Sequence, residues 1–351
     1  MKINEKYAAE LSYISKWTGS CEDIVQAGGG NTSVKQDENV MLIKSSGYAL
    51  SDVTASEGFS VVDHGMINEY LAGGVSVTME QDILKKSLIY GKRPSIETFL
   101  HSITKKYTIH SHPLSVTMLA VQKGGMDILA QLFPKAVFVE YAVPGMILAE
   151  KLYDAMMHCS CTDIIFLQNH GLIVSADTMQ GAVKLHKDVI IKINEYLGVL
   201  SEEYLLNCRL FDAINSFDNE LIVYCCSNEY IKRALCISGG KEWIYKFTPD
   251  CIVYCGGGFA VIKKDDDIEK CIKDFIEKNG MPKVIIIGEY VFVAAENLKK
   301  AKDIESVLSF TAKIFVNTKG ELCTLNDSET EFILNWDSEK YRRSLKATHY
   351  N

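Results

Sequence analysis

The chain has 351 residues, which at roughly 150 residues per domain predicts two domains, or one domain with a large appendage. Its 47% hydrophobic and 23% charged residues, with 6 prolines, exclude a disordered or fibrous chain. The 37 Lys and Arg against 45 Asp and Glu, a net charge of −8, exclude a generally basic surface for nucleic acid.

In chain order, the first six residues mix charges and lack the apolar core of a secretory signal. The longest strongly apolar run, Val284 to Ala295, is broken by Gly288 and Glu289 and is too short to cross a bilayer as a helix. A cytoplasmic protein with no membrane partner is expected. Its eleven cysteines form no CxxC pair and read as reduced, mostly buried thiols. Asn4 can cap a helix with Tyr7, Leu11, Ile14 and Trp17 on its buried face, ended by Gly19. Gly28 to Lys35 and Ser45-Ser46-Gly47 read as loops flanking a strand over Val40 to Lys44. Pro94-Ser95-Ile96-Glu97 opens a helix, with Ser95 as its cap, Glu97 in the positive first turn, and Phe99, Leu100 and Ile103 facing inward. Tyr107 to His112 alternates as a strand and stops at Pro113, before a helical pattern from Leu114 to Val121.

Ala136 to Glu140 and Asp163 to Gln168 are two more strands, and the second resumes at Leu172 after His170-Gly171. A helix follows Asp177 and closes at Gly198. Past about residue 200 the texture changes to cysteine-rich strand candidates, Leu221 to Cys226 and Cys251 to Cys255, and a hairpin-like strand, Phe259 to Ile262. Lys283 to Ala295 and a helix from Glu296 to Phe315 complete the pattern. Residues 1–200 therefore read as one domain of alternating strands and helices, and 201–351 as a smaller α+β unit.

His110 and His112 are two apart on a strand, so both rings leave one face, and His170 on another strand-turn offers a third nitrogen. Three neutral imidazoles with a free fourth position describe a catalytic zinc site. Alone, an HxH pair is more often two ordinary histidines; Glu97 changes that, because a carboxylate beside a dication can take and return a proton. The run holding Gly30, Asn31 and Lys35, with Ser46, Gly47 and Ser95, offers backbone N–H groups, hydroxyls and an amine for a phosphate. Neither a Walker A nor a GxGxxG pattern is present. His101 and His186 read as packing or supporting residues, and His64, His158 and His349 carry no pattern.

Taken in order, GGGNTSVK, KSSG, PSIETFLH, IHSH, EYAVPG and QNHG resemble the class II aldolase/adducin family over about residues 5 to 200. The resemblance implies a three-layer αβα sandwich around a central, largely antiparallel sheet, and a homotetramer with active sites between subunits. It implies a divalent metal, normally zinc, on His110, His112 and His170, a set that non-catalytic adducins lack. Glutamate at 97 is similar to the aldolases, where the epimerases tend to carry aspartate. Tyr141 stands where fuculose-phosphate aldolases carry a tyrosine that reaches a neighbouring site. The implied substrate is a ketose 1-phosphate, cleaved to dihydroxyacetone phosphate and an aldehyde. Epimerisation, dehydration or decarboxylation on the same metal is the enzymatic alternative, and an adducin-like scaffold the non-enzymatic one. Two departures stand out. Ser95-Ile96 replaces the paired serines often seen before the acidic residue, and the tail, from Phe247-Thr248-Pro249-Asp250 to Trp336-Asp337-Ser338-Glu339, resembles the segment that joins rhamnulose-phosphate aldolases to a short-chain dehydrogenase, without the dehydrogenase.

Overall fold

The computed structural model describes residues 3–73, 77–159, 161–217 and 220–335. Ser160, the 336–339 part of the tail motif and His349 lie outside the described residues. The chain divides into two compact units, Met1–Glu202 and Glu203–Asn351.

The first unit opens with α1 (Glu5–Gly19), capped by the Asn4 side chain on Lys6 N. Strands β1 (Asn31–Lys35), β2 (Val40–Lys44) and β3 (Phe59–Asp63) follow, then helices α2 (His64–Ala72) and α3 (Glu80–Ser87) and strand β4 (Leu88–Gly91). Next come α4 (Thr98–Ser102), β5 (Tyr107–Ser111), α5 (Leu114–Ala120), α6 (Gly125–Leu132), β6 (Val137–Val139) and α7 (Met146–Met157). The hairpin β7 (Ile164–Leu167) to β8 (Gly171–Ala176) and the long α8 (Met179–Leu197) complete it. The sheet order is β4-β3-β2-β1-β5-β8-β7-β6, antiparallel throughout except between β6 and β7. Helices α2, α3, α4 and α7 pack on one face and α1, α5, α6 and α8 on the other, which gives the three-layer αβα sandwich.

Gly28 to Lys35 is not all loop: Asn31 to Lys35 is a central strand, paired with β2 and β5. Its polar sequence, Asn-Thr-Ser-Val-Lys, hides the strand because the side chains bond to the flanking helices instead of packing apolar surface. Thr32 meets Ser15 of α1 at 2.6 Å on one face, and Ser33 meets His101 of α4 at 2.7 Å on the other. The helix at 95 begins later than its cap signal suggests. Glu97 occupies the N-cap position of α4, and the Ser95 hydroxyl turns back to accept from Glu97 N at 3.3 Å.

The second unit contains α9 (Glu202–Asn215), β9 (Ile222–Cys225), α10 (Glu229–Ile237), α11 (Pro249–Cys255), β10 (Ala260–Ile262), α12 (Ile268–Asn279), β11 (Val284–Ile287), β12 (Tyr290–Ala295), α13 (Leu298–Asn317) and α14 (Asp327–Asn335). Its sheet runs β10-β11-β12-β9. The unbroken Val-Ile-Ile-Ile of β11 reflects burial on both faces. Cys251 to Cys255 is helical and not a strand, because Pro249 supplies a preset first-turn φ and both thiols face the core four residues apart. Strand β10 pairs parallel with β11 across the α12 crossover, so it is not half of a hairpin. All eleven cysteines are free, yet only Cys208, Cys226, Cys251 and Cys255 are buried, so the expectation of mostly buried thiols fails. Among the described residues no helix is long and apolar enough to cross a membrane.

Candidate metal centre

The site is built on β5 and its neighbours. Strand alternation sends Ser111 to the α8 side, where its hydroxyl meets His186 Nε2 at 2.7 Å, and His110 to the α4 side. The register puts Asn31 of β1 opposite His110 and Ile173 of β8 on its other flank. His112 lies just past the end of β5, with its N–H on the Ile24 carbonyl at 3.0 Å. His170 comes from the β7–β8 turn, where Asn169 takes a left-handed φ of 53° to reverse the chain. Two separate segments, the end of β5 and the β7–β8 turn, thus deliver three imidazoles to one place.

Glu97 completes the group. Its Oε1 lies 3.2 Å from His110 Nε2 and 3.2 Å from His170 Nε2, and His112 Nε2 is 3.2 Å from His110 Nε2. All four donor atoms fall within 4.8 Å of one another. His110 Nδ1 donates to the Leu172 carbonyl at 3.0 Å, which leaves Nε2 as the ring nitrogen directed at the cluster. Three nitrogens and one carboxylate oxygen at this spacing suit a divalent cation of the zinc type, so the residues fit the metal that the family pattern implies.

Electrostatics explain how the group stays folded by itself. Burial alone would push the Glu97 carboxyl up, but the facing His110 and the hydrogen bonds from His110, His170 and Asn31 outweigh it and hold it well below the usual carboxylate range. Burial disfavours the charged His110, yet Glu97 prevails and raises it. His112 is pulled down to about 3 by burial and by the neighbouring His110 and His170. The facing pair of His110 and Glu97 therefore favours its charged forms, and His112 its neutral form.

The loops that carry the proposed phosphate ligands adjoin it. Asn31 Nδ2 donates to Glu97 Oε2 at 2.8 Å and to Ser95 Oγ at 2.7 Å, while its buried Oδ1 finds no donor among the described residues. Gly30 has φ 69°, and a Cβ there would stand 2.9 Å from the His110 carbonyl oxygen, so glycine lets this loop run against the metal strand. A bridge between Ser45 and Pro94, and the Ser46 N–H on the Arg93 carbonyl at 2.9 Å, bring the Ser46-Gly47 turn beside Ser95. Gly47 has φ 85° and open space where a Cβ would be.

Two predicted site residues do not join the group. Lys35 sits roughly 13 Å along β1 from Asn31 at about 3.3 Å per residue. Its amine donates to the carbonyls of Ser102, at 2.8 Å, and Thr104. It is not a cradle amine in this chain. Tyr141 is 57% exposed, and its backbone is tied down, its N–H by Gln168 Oε1 at 3.3 Å and its carbonyl by Lys151 Nζ at 3.3 Å.

The amine that does reach the loops is Lys44, which the sequence reading missed. It is 3% exposed, and its Nζ donates to the carbonyls of Tyr48 at 2.7 Å and Gly28 at 3.2 Å. Burial lowers its pKa, and the charges of Glu97 and Asp52 oppose that. A lysine closing an otherwise apolar strand was the available signal. His101 and His186 are fully buried supports, as expected, each pulled to about 3 by burial.

The chain is similar to several known proteins. Residues 9–189, just over half of the chain, match the class II aldolase and adducin N-terminal domain family. The N-terminal class II aldolase domain of a conserved protein from Thermoplasma acidophilum is 27% identical, covers 56% of this chain and 96% of that one, and superposes with a TM-score of 0.50. A putative aldolase/epimerase/decarboxylase, YgbL from Klebsiella pneumoniae, is 18% identical over 56% of this chain and 91% of that one, with a TM-score of 0.43. The uncharacterized oxidoreductase YuxG of Bacillus subtilis is 27% identical over 206 residues, 55% of this chain. The match spans 30% of the length of that protein.

Proposed function

Because the chain belongs to the class II aldolase and adducin family, we propose that it is a metal-dependent lyase that cleaves, and in reverse forms, a phosphorylated ketose. The observation that carries this reading is the buried group of His110, His112, His170 and Glu97, with Asn31 fixing the second carboxylate oxygen of Glu97. An intact donor set favours an enzyme over an adducin-like scaffold.

A divalent ion, zinc in this reading, supplies Lewis-acid stabilisation of the negative charge that develops on the ketone oxygen. In the direction of synthesis Glu97, kept as a carboxylate at neutral pH, takes the proton from carbon 3 of dihydroxyacetone phosphate. Asn31 donates to Oε2, which leaves Oε1, 3.2 Å from His110 Nε2 and His170 Nε2, as the oxygen that takes the proton. Carbon 3 then bonds to the aldehyde carbon, and the aldehyde oxygen takes its proton from Tyr141 of a neighbouring subunit, whose exposure suits a role outside its own site. Cleavage runs the same transfers backwards. The Gly30, Asn31, Ser46, Gly47 and Ser95 segments, with Lys44, hold the phosphate, and a homotetramer in the cytoplasm is the assembly this reading requires.

The test is to incubate the purified, metal-loaded chain with a panel of ketose 1-phosphates and to assay dihydroxyacetone phosphate. Release of dihydroxyacetone phosphate supports the aldolase. Conversion without it points to epimerisation, dehydration or decarboxylation on the same site, and no stoichiometric divalent ion, bound or recruited, would leave the scaffold.

A further inference from the structure

The face of β1 that begins at Asn31 continues as a ladder of side-chain bonds down α4. Asn31 binds Ser95 and Glu97, Ser33 binds His101, and Lys35 binds the carbonyls of Ser102 and Thr104. The far end of that ladder opens on a cavity of about 480 Å³ whose wall includes Lys35, Asp37, Glu38, His64, Asn68 and Lys106. That volume lies in the range of small-molecule sites, roughly 300–1,000 Å³.

The wall is polar and its hydrogen bonding is incomplete. His64, 5% exposed, has Nε2 3.0 Å from the Asp37 carbonyl; a carbonyl only accepts, so Nε2 carries the hydrogen. Burial lowers its pKa, which leaves Nδ1 a lone-pair acceptor, and no donor meets it among the described residues. Asn68 spends Nδ2 on the Ser102 carbonyl at 3.2 Å, and its buried Oδ1 likewise has no donor. The imidazole nitrogen of His64 and the amide oxygen of Asn68, with the carboxylate of Glu38 and that of Asp37, whose Oδ1 already accepts from the Asn39 and Val40 N–H groups, call for a cationic donor. Two of the three N–H groups of the Lys35 ammonium are used on carbonyls, and Lys106 Nζ donates to Tyr7 Oη at 3.1 Å, so each ammonium keeps N–H groups that call for an anion. Burial draws the Lys35 amine down to about 8, against the pull of Glu38, and an anion placed beside it favours the ammonium form.

We propose that this cavity is a second ligand site, distinct from the metal centre, that takes a small zwitterion of the amino-acid class. The ammonium group would face Asp37, Glu38, His64 and Asn68, and the carboxylate would face Lys35 and Lys106. A ligand there loads the Ser102 end of α4, five residues from Glu97, through the rungs at Lys35 and Ser33.

The test is calorimetric titration of the full chain with γ-aminobutyrate, a zwitterion that chelates metals poorly, and with butyrate and butylamine, each of which has one of its two charges. Saturable binding of γ-aminobutyrate is expected, weakened about tenfold or more by Lys106→Met and by Lys35→Met, since each loses a hydrogen bond to a charged group. Lys106→Met alters the cavity rim and serves if Lys35→Met fails to fold. Ser46→Ala, at the phosphate loops, should leave the affinity unchanged. Amide exchange over residues 98–104 should slow when γ-aminobutyrate binds. No saturation at millimolar concentration, equal binding of butyrate or butylamine, or an affinity that falls with Ser46→Ala and not with Lys106→Met would overturn the proposal.

Discussion

Replacing Glu97 by glutamine isolates its proton-carrying role from its place in the cluster. The amide is isosteric: its oxygen can still accept from Asn31 Nδ2, which now lies 2.8 Å from the carboxylate, and its NH2 group then faces His110 and His170 at the positions 3.2 Å from Oε1. Packing is preserved, while the basic oxygen is lost. General acid–base groups are worth about 10²–10⁴ in rate, so kcat should fall by that factor, a rise of roughly 3–5 kcal/mol in the barrier. The three imidazoles are untouched, so the variant should retain a full complement of metal, measured by atomic emission on the same sample used for kinetics. Turnover within threefold of the parent, at full metal occupancy, would refute the assignment of Glu97 as the base. Activity lost together with the metal and restored by excess metal would instead make Glu97 a ligand.

Lys44→Met should raise KM for a phosphorylated ketose about tenfold and change kcat less, because a buried charged hydrogen-bond partner worth about 1.5–3 kcal/mol is removed from the loops; a parallel loss with an unphosphorylated ketose would mean that Lys44 does not read the phosphate. Gly30→Ala should cost roughly 2–5 kcal/mol in urea unfolding, from a left-handed φ of 69° and a Cβ 2.8 Å from Val25 and 2.9 Å from the His110 carbonyl. His186, fully buried and drawn from 6.5 to about 3, binds its proton more readily in the unfolded chain, so its contribution is complete above about pH 6.5 and is lost as pH falls toward 3. The expected loss is roughly 2 kcal/mol by pH 5, and His186→Phe should flatten the stability profile by that amount when unfolding is followed from pH 7 to pH 4.

The site was more legible than the fold around it. His110 and His112 are recognisable because a two-residue spacing in an extended segment predicts two rings on one face, although β5 ends at Ser111, and Glu97 because it sits in a helix-opening segment. The apolar strands β2, β7 and β11 carry a pattern that needs no partner to be read. Strand β1 was hidden because its central position is sustained by Ser15, His101 and the carbonyls beyond α4, all distant in sequence. Cys251 to Cys255 was misread because apolar residues at four-residue spacing and a short strand look alike over five positions.

By itself, then, the order of residues determined which side chains are candidates for metal-binding and proton-transfer chemistry, since donor type and local spacing are properties of the covalent chain. Tertiary structure alone decided which amine serves the loops. Lys35 and Lys44 both follow glycine-rich or strand-like runs, but the pairing of β1 between β2 and β5 points Lys35 at the C-terminal carbonyls of α4, and the end of β2 points Lys44 at Gly28 and Tyr48. The reason is geometric: along a strand the amine moves about 3.3 Å per residue, and only the register against neighbouring strands sets which end meets the metal.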